Sequence, residues 1–158
     1  MSEERKSARQ WALRALSRRM HTVQEIRSAL SGRGFGNEVV SDVLEELSDR
    51  GYVNDLHFAQ VWIQSRSVHQ LHGRLRLQKD LRQKGIPEEI VRSVLEELLP
   101  EREELAIAIR AIEKKKRTLK ATGVKGREAL YRHLRSRGFT TGTISQAMAG
   151  ISFEEKTF

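Results

Sequence analysis

The chain contains no cysteine, only two prolines and few aromatic residues, which make up 6% of its 158 positions. The absence of cysteine excludes disulfides, thiol catalysis and cysteine-ligated zinc, and it is compatible with a reducing compartment. No stretch approaches the roughly 18 apolar residues that a membrane span needs, and residues 1–6 are polar with no signal-peptide core behind them. We therefore expect a soluble, cytoplasmic protein without a membrane partner.

One pattern occurs three times along the chain, centred on Gly34, Gly85 and Gly138. In each copy a large apolar residue stands eight and four positions before the glycine, a basic residue directly before it, and Phe or Ile directly after it. Apolar residues also follow each glycine at steps of three and four: Val40, Val43, Leu44 and Leu47, then Val91, Val94, Leu95 and Leu98, then Ile144, Ala147, Met148 and Ile151. Such steps return to one face of a helix, so each copy predicts a helix, a tight turn and a second helix.

Capping signals support these helix boundaries. Each repeated glycine stands where a helix ends in a left-handed residue, a conformation that a residue without Cβ adopts at little cost. Thr22 and Glu25 have the spacing of a capping box, and Asn54 offers a cap for the helix that follows it. A further helix precedes each pair. In the third copy its predicted core face consists of Leu105, Ile109 and Ile112.

The sequence therefore predicts an all-α protein, an elongated array of three tandem three-helix repeats. We expect the first repeat, with an N-terminal arm, over residues 1–54, the second over 55–100, and the third, with a C-terminal tail, over 101–158. Looser connections are expected at Ser67–Gly73 and Thr122–Gly126, where small residues interrupt the apolar period. An apolar content of 38% is modest for one large core and agrees with three small ones.

Basic residues outnumber acidic ones by 29 to 21, which gives a formal charge of +8. Residues 1–54 carry nine basic and eight acidic side chains, residues 55–100 seven and six, and residues 101–158 thirteen and seven. This balance favours a polyanionic partner, either a nucleic acid or an acidic protein groove. The acidic group near the start of the third repeat is expected to be a solvated surface; it comprises Glu96, Glu97, Glu101, Glu103 and Glu104.

Two pairs of basic residues, Lys79 with Arg82 and Arg132 with Arg135, lie opposite the apolar stripe of their predicted helices. Each pair is either part of a binding face or an ordinary solvated helix surface, and its repetition in two repeats favours the binding face. The same two interpretations, nucleic-acid contact or solvated helix, stay open for the basic run of Lys114, Lys115, Lys116 and Arg117.

The basic residues directly before the glycines are Arg33, Lys84 and Arg137. They fall at helix ends, where the helix dipole favours a cation. We predict a mainly structural role for them.

Enzyme and metal motifs are missing. The five histidines are scattered, and only His69 and His72 approach the spacing of metal ligands, without a third ligand; we expect them to be surface histidines. No phosphate loop, nucleophile elbow or paired-carboxylate motif is present, so we expect no catalytic residues, no metal, no cofactor and no enzymatic activity. Trp11 and Trp62 stand at apolar helical positions and are predicted to be core residues rather than base-stacking platforms.

The second repeat resembles the signature of the bacterial RecX regulatory family, roughly D-x-x-F-A-x-x-W-x-x-x-R followed by G-x-x-R-I-x-x-E-L-x-x-K-G-I. The first part matches at Asp55, Phe58, Ala59, Trp62 and Arg66, and the second runs from Gly73 to Ile86. The departures from the pattern are Leu75, where arginine is common, Arg74, where proline is common, Leu77 in place of Ile and Asp80 in place of Glu. The first and third repeats are similar to the other two repeats of the family, so the resemblance covers about residues 9–151.

We expect this helical array to be a monomer. The resemblance implies a regulator that binds the RecA recombinase and its filament on single-stranded DNA. It implies inhibition of RecA ATPase, strand exchange and stimulated repressor cleavage, with weak direct DNA binding as a further expectation. The candidate partner-binding residues are Arg66, Arg74, Arg76, Lys79, Arg82, Arg132 and Arg135, and the candidate DNA contacts are Lys114, Lys115, Lys116 and Arg117.

Two alternatives to a RecA regulator stay open: an autonomous basic helical DNA-binding protein and a structural adaptor for another protein. The predicted helices that follow the first two turns, Glu38–Leu47 and Glu88–Leu98, are acidic. Their carboxylates would repel DNA phosphates.

Overall fold

The computed structural model describes residues 1–151, and within that range all regular structure is helical. The helices are α1 (Glu3–Arg18), α2 (Val23–Gly32), α3 (Asn37–Asp49), α4 (Asp55–Val68), α5 (Arg74–Gln83), α6 (Glu88–Leu98), α7 (Glu101–Lys116), α8 (Gly123–Ser136) and α9 (Thr141–Ala149). They group in threes along the chain, which confirms the predicted all-α array of three-helix repeats. The predicted C-terminal tail lies outside the described residues.

The predicted helix caps are present. At the start of α2, Thr22 Oγ1 accepts a hydrogen bond from Glu25 N at 3.1 Å, and the Glu25 carboxylate accepts one from Thr22 N at 3.2 Å. This pair is a complete capping box, which satisfies two amides that have no partner inside the helix. At the start of α4, Asn54 Oδ1 accepts from His57 N at 3.0 Å.

The three repeated glycines form the same turn. Their φ angles are 91° at Gly34, 79° at Gly85 and 85° at Gly138, so all three are left-handed. In each turn the glycine N–H donates to the third carbonyl before it, and the next residue's N–H donates to the fifth carbonyl before it, as Ile86 does to Leu81 at 3.1 Å. This is the Schellman arrangement. The prediction that Gly85 is left-handed is confirmed.

The helices pack into two compact units. The first unit contains Met1–Val61 and Leu81–Val91, and the second contains Trp62–Asp80 and the described residues from Arg92. In the first, α1 and α2 pack on α3. In the second, α7 packs on α8 and α9. The predicted apolar positions after the three glycines are buried, except that Leu98 and Ile151 are partly exposed.

Two local predictions were wrong, and a third was correct except at its first two residues. The core face of α7 contains Ile107, Ala108, Ala111 and Ile112, whereas Ile109 is exposed. The predicted connection at Ser67–Gly73 is present from His69 onward, but Ser67 is buried within α4, because that helix continues to Val68. Helix α8 already begins at Gly123, so the predicted loose segment from Thr122 to Gly126 is largely its first turn.

Within the first unit, the start of α2 docks on the turn that follows α5, and we call this contact the first junction. Thr22 Oγ1 donates to the carbonyl of Lys84 at 2.7 Å, and Val23 N–H donates to Asp55 Oδ1 at 2.9 Å. Gly85 lies so close to Gln24 that a Cβ there would overlap that side chain. The first and second repeats are therefore joined by α2, the middle helix of the first repeat, and by the turn after α5 in the second repeat.

Within the second unit, the start of α5 docks in the same way on the turn that follows α8, and this is the second junction. Gly73 N–H donates to the carbonyl of Arg137 at 2.8 Å, and Arg74 N–H donates to Glu104 Oε2 at 2.7 Å. Measured from the turn glycines, Gly73 and Arg74 occupy the positions of Thr22 and Val23. Arg137 likewise occupies the position of Lys84, so one docking pattern is used twice.

Candidate partner-binding site

The four outward cations predicted from helical periodicity, Lys79, Arg82, Arg132 and Arg135, are all exposed. Three of them have no ion-pair partner among the described residues. Arg82 differs, because its guanidinium forms two hydrogen bonds with the Glu88 carboxylate at 2.6 and 2.7 Å. These bonds raise the pKa of Arg82. A partner of this surface therefore has to compete with Glu88 for Arg82, whereas the other three cations are available.

Arg66 is half-buried, and neighbouring side chains hold it in place. Its guanidinium stacks over the Trp62 ring, 4.1 Å from the ring centroid, and its Nη1 donates to Gln70 Oε1 at 2.9 Å. Helical spacing places Trp62 and Arg66 on one face of α4, which accounts physically for the W-x-x-x-R part of the signature. Trp62 is only partly buried, so it serves as the support of an arginine as well as a core residue.

Arg74 has a structural role in the second junction. Its backbone N–H bonds Glu104, and its Nη1 donates to the carbonyl of Leu99 at 3.3 Å. Glu104 is only 2% exposed and also accepts a hydrogen bond from Thr140 Oγ1 at 3.0 Å. The prediction that Glu104 belongs to a solvated acidic surface was therefore wrong. Its side chain can be buried because donors from two different elements satisfy its two carboxyl oxygens.

Arg76 and Arg137 lie on the two sides of the second junction. Arg76 is exposed, and a Cβ on Gly138 would lie 2.5 Å from the Arg76 backbone nitrogen. Arg137 Nη1 donates to the carbonyl of Gln70 at 3.1 Å. Arg137 was not among the predicted binding residues, because its position at a helix end indicated only a dipole effect. Its regular place before the turn glycine was the sequence signal for its docking contact.

His72 is 3% exposed, so the prediction of a surface histidine was wrong for this residue, although His69 is exposed. Burial, reinforced by the positive charges of Arg76, Arg137 and Arg66, lowers the pKa of His72 to about 4. Asp80 opposes this shift. The imidazole is therefore neutral at pH 7.

The basic run at the end of α7 is mostly exposed. Lys114, Lys116 and Arg117 are exposed and Lys115 is partly buried. Burial and the nearby charges of Arg137 and Lys115 lower the pKa of His133. The run therefore contributes positive charge to the third repeat, in agreement with its composition.

The basic residues before the glycines make packing contacts besides any dipole effect. The guanidinium of Arg33 lies 4.4 Å from the centroid of the Trp11 ring, and Lys84 Nζ lies 5.9 Å from that of Phe58. Trp11 is partly buried in this arrangement. Among residues 1–151, no group of three or more His, Asp or Glu side chains is placed to hold a metal ion, and no helix has the length and apolarity to span a membrane.

Comparison with known protein families gives three matches in chain order. They are the first three-helix domain of RecX over residues 8–47, the second over 54–95 and the third over 102–148. The chain belongs to the RecX family. The matched ranges contain both junctions and the Trp62–Arg66 pair.

Individual relatives agree with this membership. The chain is 38% identical to the regulatory protein RecX of Prosthecochloris aestuarii over 137 residues, covering 87% of this chain and 88% of the relative. It is 33% identical to that of Chlorobaculum tepidum over 156 residues, covering 98% and 95% of the two chains. The fold is similar to the crystal structure of RecX from Lactobacillus salivarius, with a TM-score of 0.84, 19% identity, and coverage of 94% of this chain and 97% of that one.

Proposed function

We propose that this RecX chain binds RecA and its filament on single-stranded DNA, and that it inhibits the recombinase, ATPase and coprotease activities of RecA. The observation that carries the proposal is the presence of all three RecX domains in order along one chain. On this proposal the protein acts by binding rather than catalysis, as a monomer in the cytoplasm, within recombination, DNA repair and the SOS response.

Exposed cations support the mode of binding that we propose. Lys79, Arg132 and Arg135 are exposed and unpaired among the described residues, and Arg76 and most of the basic run at the end of α7 are exposed as well. Contacts distributed over successive repeats gain avidity, because each one raises the effective concentration of the next. Acidic filament surfaces or exposed phosphates are the complementary partners of such cations.

The alternative function is autonomous DNA binding, with one repeat inserting a recognition helix into the major groove. The charge of α3, the helix after the turn in the first repeat, argues against this alternative. Glu46 on α3 forms an ion pair with Arg9 at 2.9 Å, and Glu38, Asp42 and Glu45 are exposed on the same helix. A recognition helix with these carboxylates would repel phosphate.

RecA ATPase activity on single-stranded DNA, measured with increasing amounts of the protein, tests the proposal. We expect the ATPase rate to fall, and we expect the protein to sediment with RecA filaments more strongly than with bare DNA at the same salt concentration. An unchanged ATPase rate would contradict inhibition. Equal retention on bare DNA and on filaments would favour the autonomous DNA-binding alternative.

A further inference from the structure

A shallow groove of about 350 Å³ lies in the first unit, beside the first junction. It is lined by the Trp11 ring of α1 and by Ser28 and Ala29 of α2. Arg19, just after α1, and Lys84, in the turn after α5, line it as well. None of the predicted binding residues lies in this groove, because all of them belong to the second and third repeats.

Small side chains on α2 leave room for the groove. Measured from the turn glycines, Ser28 and Ala29 occupy the positions that Lys79 and Asp80 occupy in the second repeat. Ser28 is exposed and Ala29 is partly buried. The first repeat thus has two short side chains where the second has a long cation and a carboxylate, so a side chain of another molecule can approach α2 here.

Trp11 is the aromatic side of the groove. It occupies the position of Trp62 in the second repeat, but Ala15 stands where Arg66 covers Trp62. Arg33 from the turn contacts Trp11 instead, without lining the groove itself, and part of the partly buried ring lines the groove. A tryptophan placed in this way is a typical anchor for a partner, because it offers a large rigid apolar surface.

The charges around the groove favour an acidic ligand. Glu25 is the lining carboxylate among the described residues, and both of its oxygens are already bonded, one to Thr22 N–H and the other to Arg19. Arg19 Nη1 also donates to the carbonyl of Met20 at 2.9 Å, so this guanidinium is held in place while it keeps further N–H groups. Lys84 supplies a second cation beside the satisfied carboxylate. The groove therefore has a positive charge to offer and loses little conformational entropy when it binds.

The same features favour a protein segment over a nucleic-acid strand. A strand would bring a charged phosphate with every nucleotide toward Glu25. Residues 1–54 carry nine basic and eight acidic side chains, so the first repeat lacks the surplus of cations that attracts a phosphate backbone. A protein segment with a carboxylate beside a large apolar side chain complements both the cations and Trp11.

We propose that this groove binds an acidic segment of a protein partner, with a large apolar side chain against Trp11 and carboxylates on Arg19 and Lys84. The proposal rests on the proposed RecA function, because RecA is the source of the segment. It adds a contact in the first repeat to the cations of the second and third. A nucleic-acid strand is the alternative occupant, and the experiment separates the two.

The first test measures the protection of a thiol introduced into the full chain, which has no cysteine of its own. Ser28→Cys puts the thiol in the groove, and the matched control Ser31→Cys puts it at an exposed position of α2 outside the groove. Mass spectrometry of this chain follows alkylation by iodoacetamide with and without RecA filaments on single-stranded DNA. We expect filaments to slow alkylation about tenfold in Ser28→Cys and less than about twofold in Ser31→Cys, since a seated segment excludes solvent.

The second test changes the charge of the groove and measures sedimentation with RecA filaments. Ser28→Glu is expected to weaken binding about tenfold, because its carboxylate repels the acidic segment, whereas the control Ser31→Glu should weaken it less than about twofold. Ser28→Lys is expected to bind at least as tightly as the unchanged protein, because it adds a cation for the segment to pair with.

Four outcomes overturn the groove as a site for an acidic segment. They are equal protection of the two thiols, equal losses in the two Glu variants, a loss in Ser28→Lys as large as that in Ser28→Glu, and equal weakening by Ser28→Glu of binding to filaments and to bare oligo(dT). The last outcome would assign the groove to nucleic acid. If the unchanged protein does not bind RecA filaments, the proposed function fails and this proposal with it. If it binds them but the variants of Ser28 and Ser31 behave alike, only the groove fails.

Discussion

The two junctions use the same backbone positions with different chemistry. In the first, a threonine hydroxyl donates a hydrogen bond to the turn carbonyl. The partly exposed Asp55 accepts a hydrogen bond from the amide at the start of α2. In the second, a glycine amide bonds the turn carbonyl and the buried Glu104 accepts the helix amide. The docking geometry therefore depends on the left-handed turn and the helix start, while the side chains around it are free to set the local charge.

The two junctions therefore differ in local charge. Cations and carboxylates balance around the first junction, where Glu25 faces Arg19 and Lys84. Around the second, three arginines surround a neutral, buried histidine. The following substitutions and pH changes test this contrast between the junctions.

The largest expected effect comes from replacing the turn glycines one at a time by Val. All three have positive φ, which costs a β-branched residue about 1–2 kcal/mol. A Cβ on Gly34 meets nothing within 4 Å, one on Gly85 overlaps the Gln24 side chain, and one on Gly138 overlaps the Arg76 backbone. We expect losses of unfolding free energy of about 1–2, 2–3 and 3–5 kcal/mol respectively, since overpacking adds to the strain.

Chemical denaturation of the three glycine variants measures this order. Gly34→Val is the matched control, because it carries the backbone strain without the junction. Equal losses at all three positions would show that docking on the turns contributes nothing.

Acidification is expected to weaken the second unit more than the first. The folded pKa of His72, about 4, lies below its unfolded value near 6.5, so the unfolded chain binds the proton first as the pH falls. The contribution of neutral His72 to the stability of the fold is complete above pH 6.5 and declines as the pH falls toward 4. At pH 5 the loss is roughly 2 kcal/mol from this residue. The lowered pKa of His133 acts in the same direction.

Amide hydrogen exchange at pH 7 and pH 5, corrected for intrinsic rates, measures this difference. Leu75 N–H reports on the second junction and Val23 N–H on the first, where the raised pKa of Asp55 acts in the opposite sense and the lowered pKa of Glu25 in the same sense. His72→Gln is expected to remove most of the pH dependence at Leu75. Equal acid sensitivity at both amides would contradict the assignment to His72.

The smallest expected effect is at Arg33, whose turn belongs to neither junction. Replacing Arg33 by Glu removes its stacking on Trp11 and is expected to cost about 0.5–1 kcal/mol of stability. RecA inhibition should stay close to that of the unchanged protein. Thermal melting and the ATPase assay check the two parts, and a strong loss of inhibition at full stability would place Arg33 in the binding face.

Much of this architecture follows from local sequence rules. Apolar steps of three and four located the helices, and the repeated glycines located the Schellman turns, because both depend on residues close together in the chain. The outward direction of Lys79 and Arg132 followed from the same periodicity. The capping box of Thr22 and Glu25 was equally predictable.

The junctions were not predictable, because they pair residues far apart, such as Thr22 with Lys84. The face of α7 was misassigned for a related reason. Its buried stripe contains Glu104, which distant donors hydrogen-bond, so apolar spacing alone could not identify this stripe and placed Ile109 in the core instead. The binding of Arg82 to Glu88 across the turn was likewise invisible to a helical projection of α5 alone.

The most direct test of the proposed binding face is RecA ATPase inhibition by a protein in which Lys79, Arg82, Arg132 and Arg135 are all changed to Glu. The control changes four other exposed cations, Arg14, Arg92, Arg102 and Lys125, to Glu, so both variants lose the same charge. Helicity and melting should change little, since all four side chains are exposed and an exposed ion pair such as Arg82–Glu88 adds little to stability. We predict that the first variant loses most of its inhibition and that the control keeps it. Full inhibition by the folded first variant, or equal loss in both, would contradict the proposed binding face.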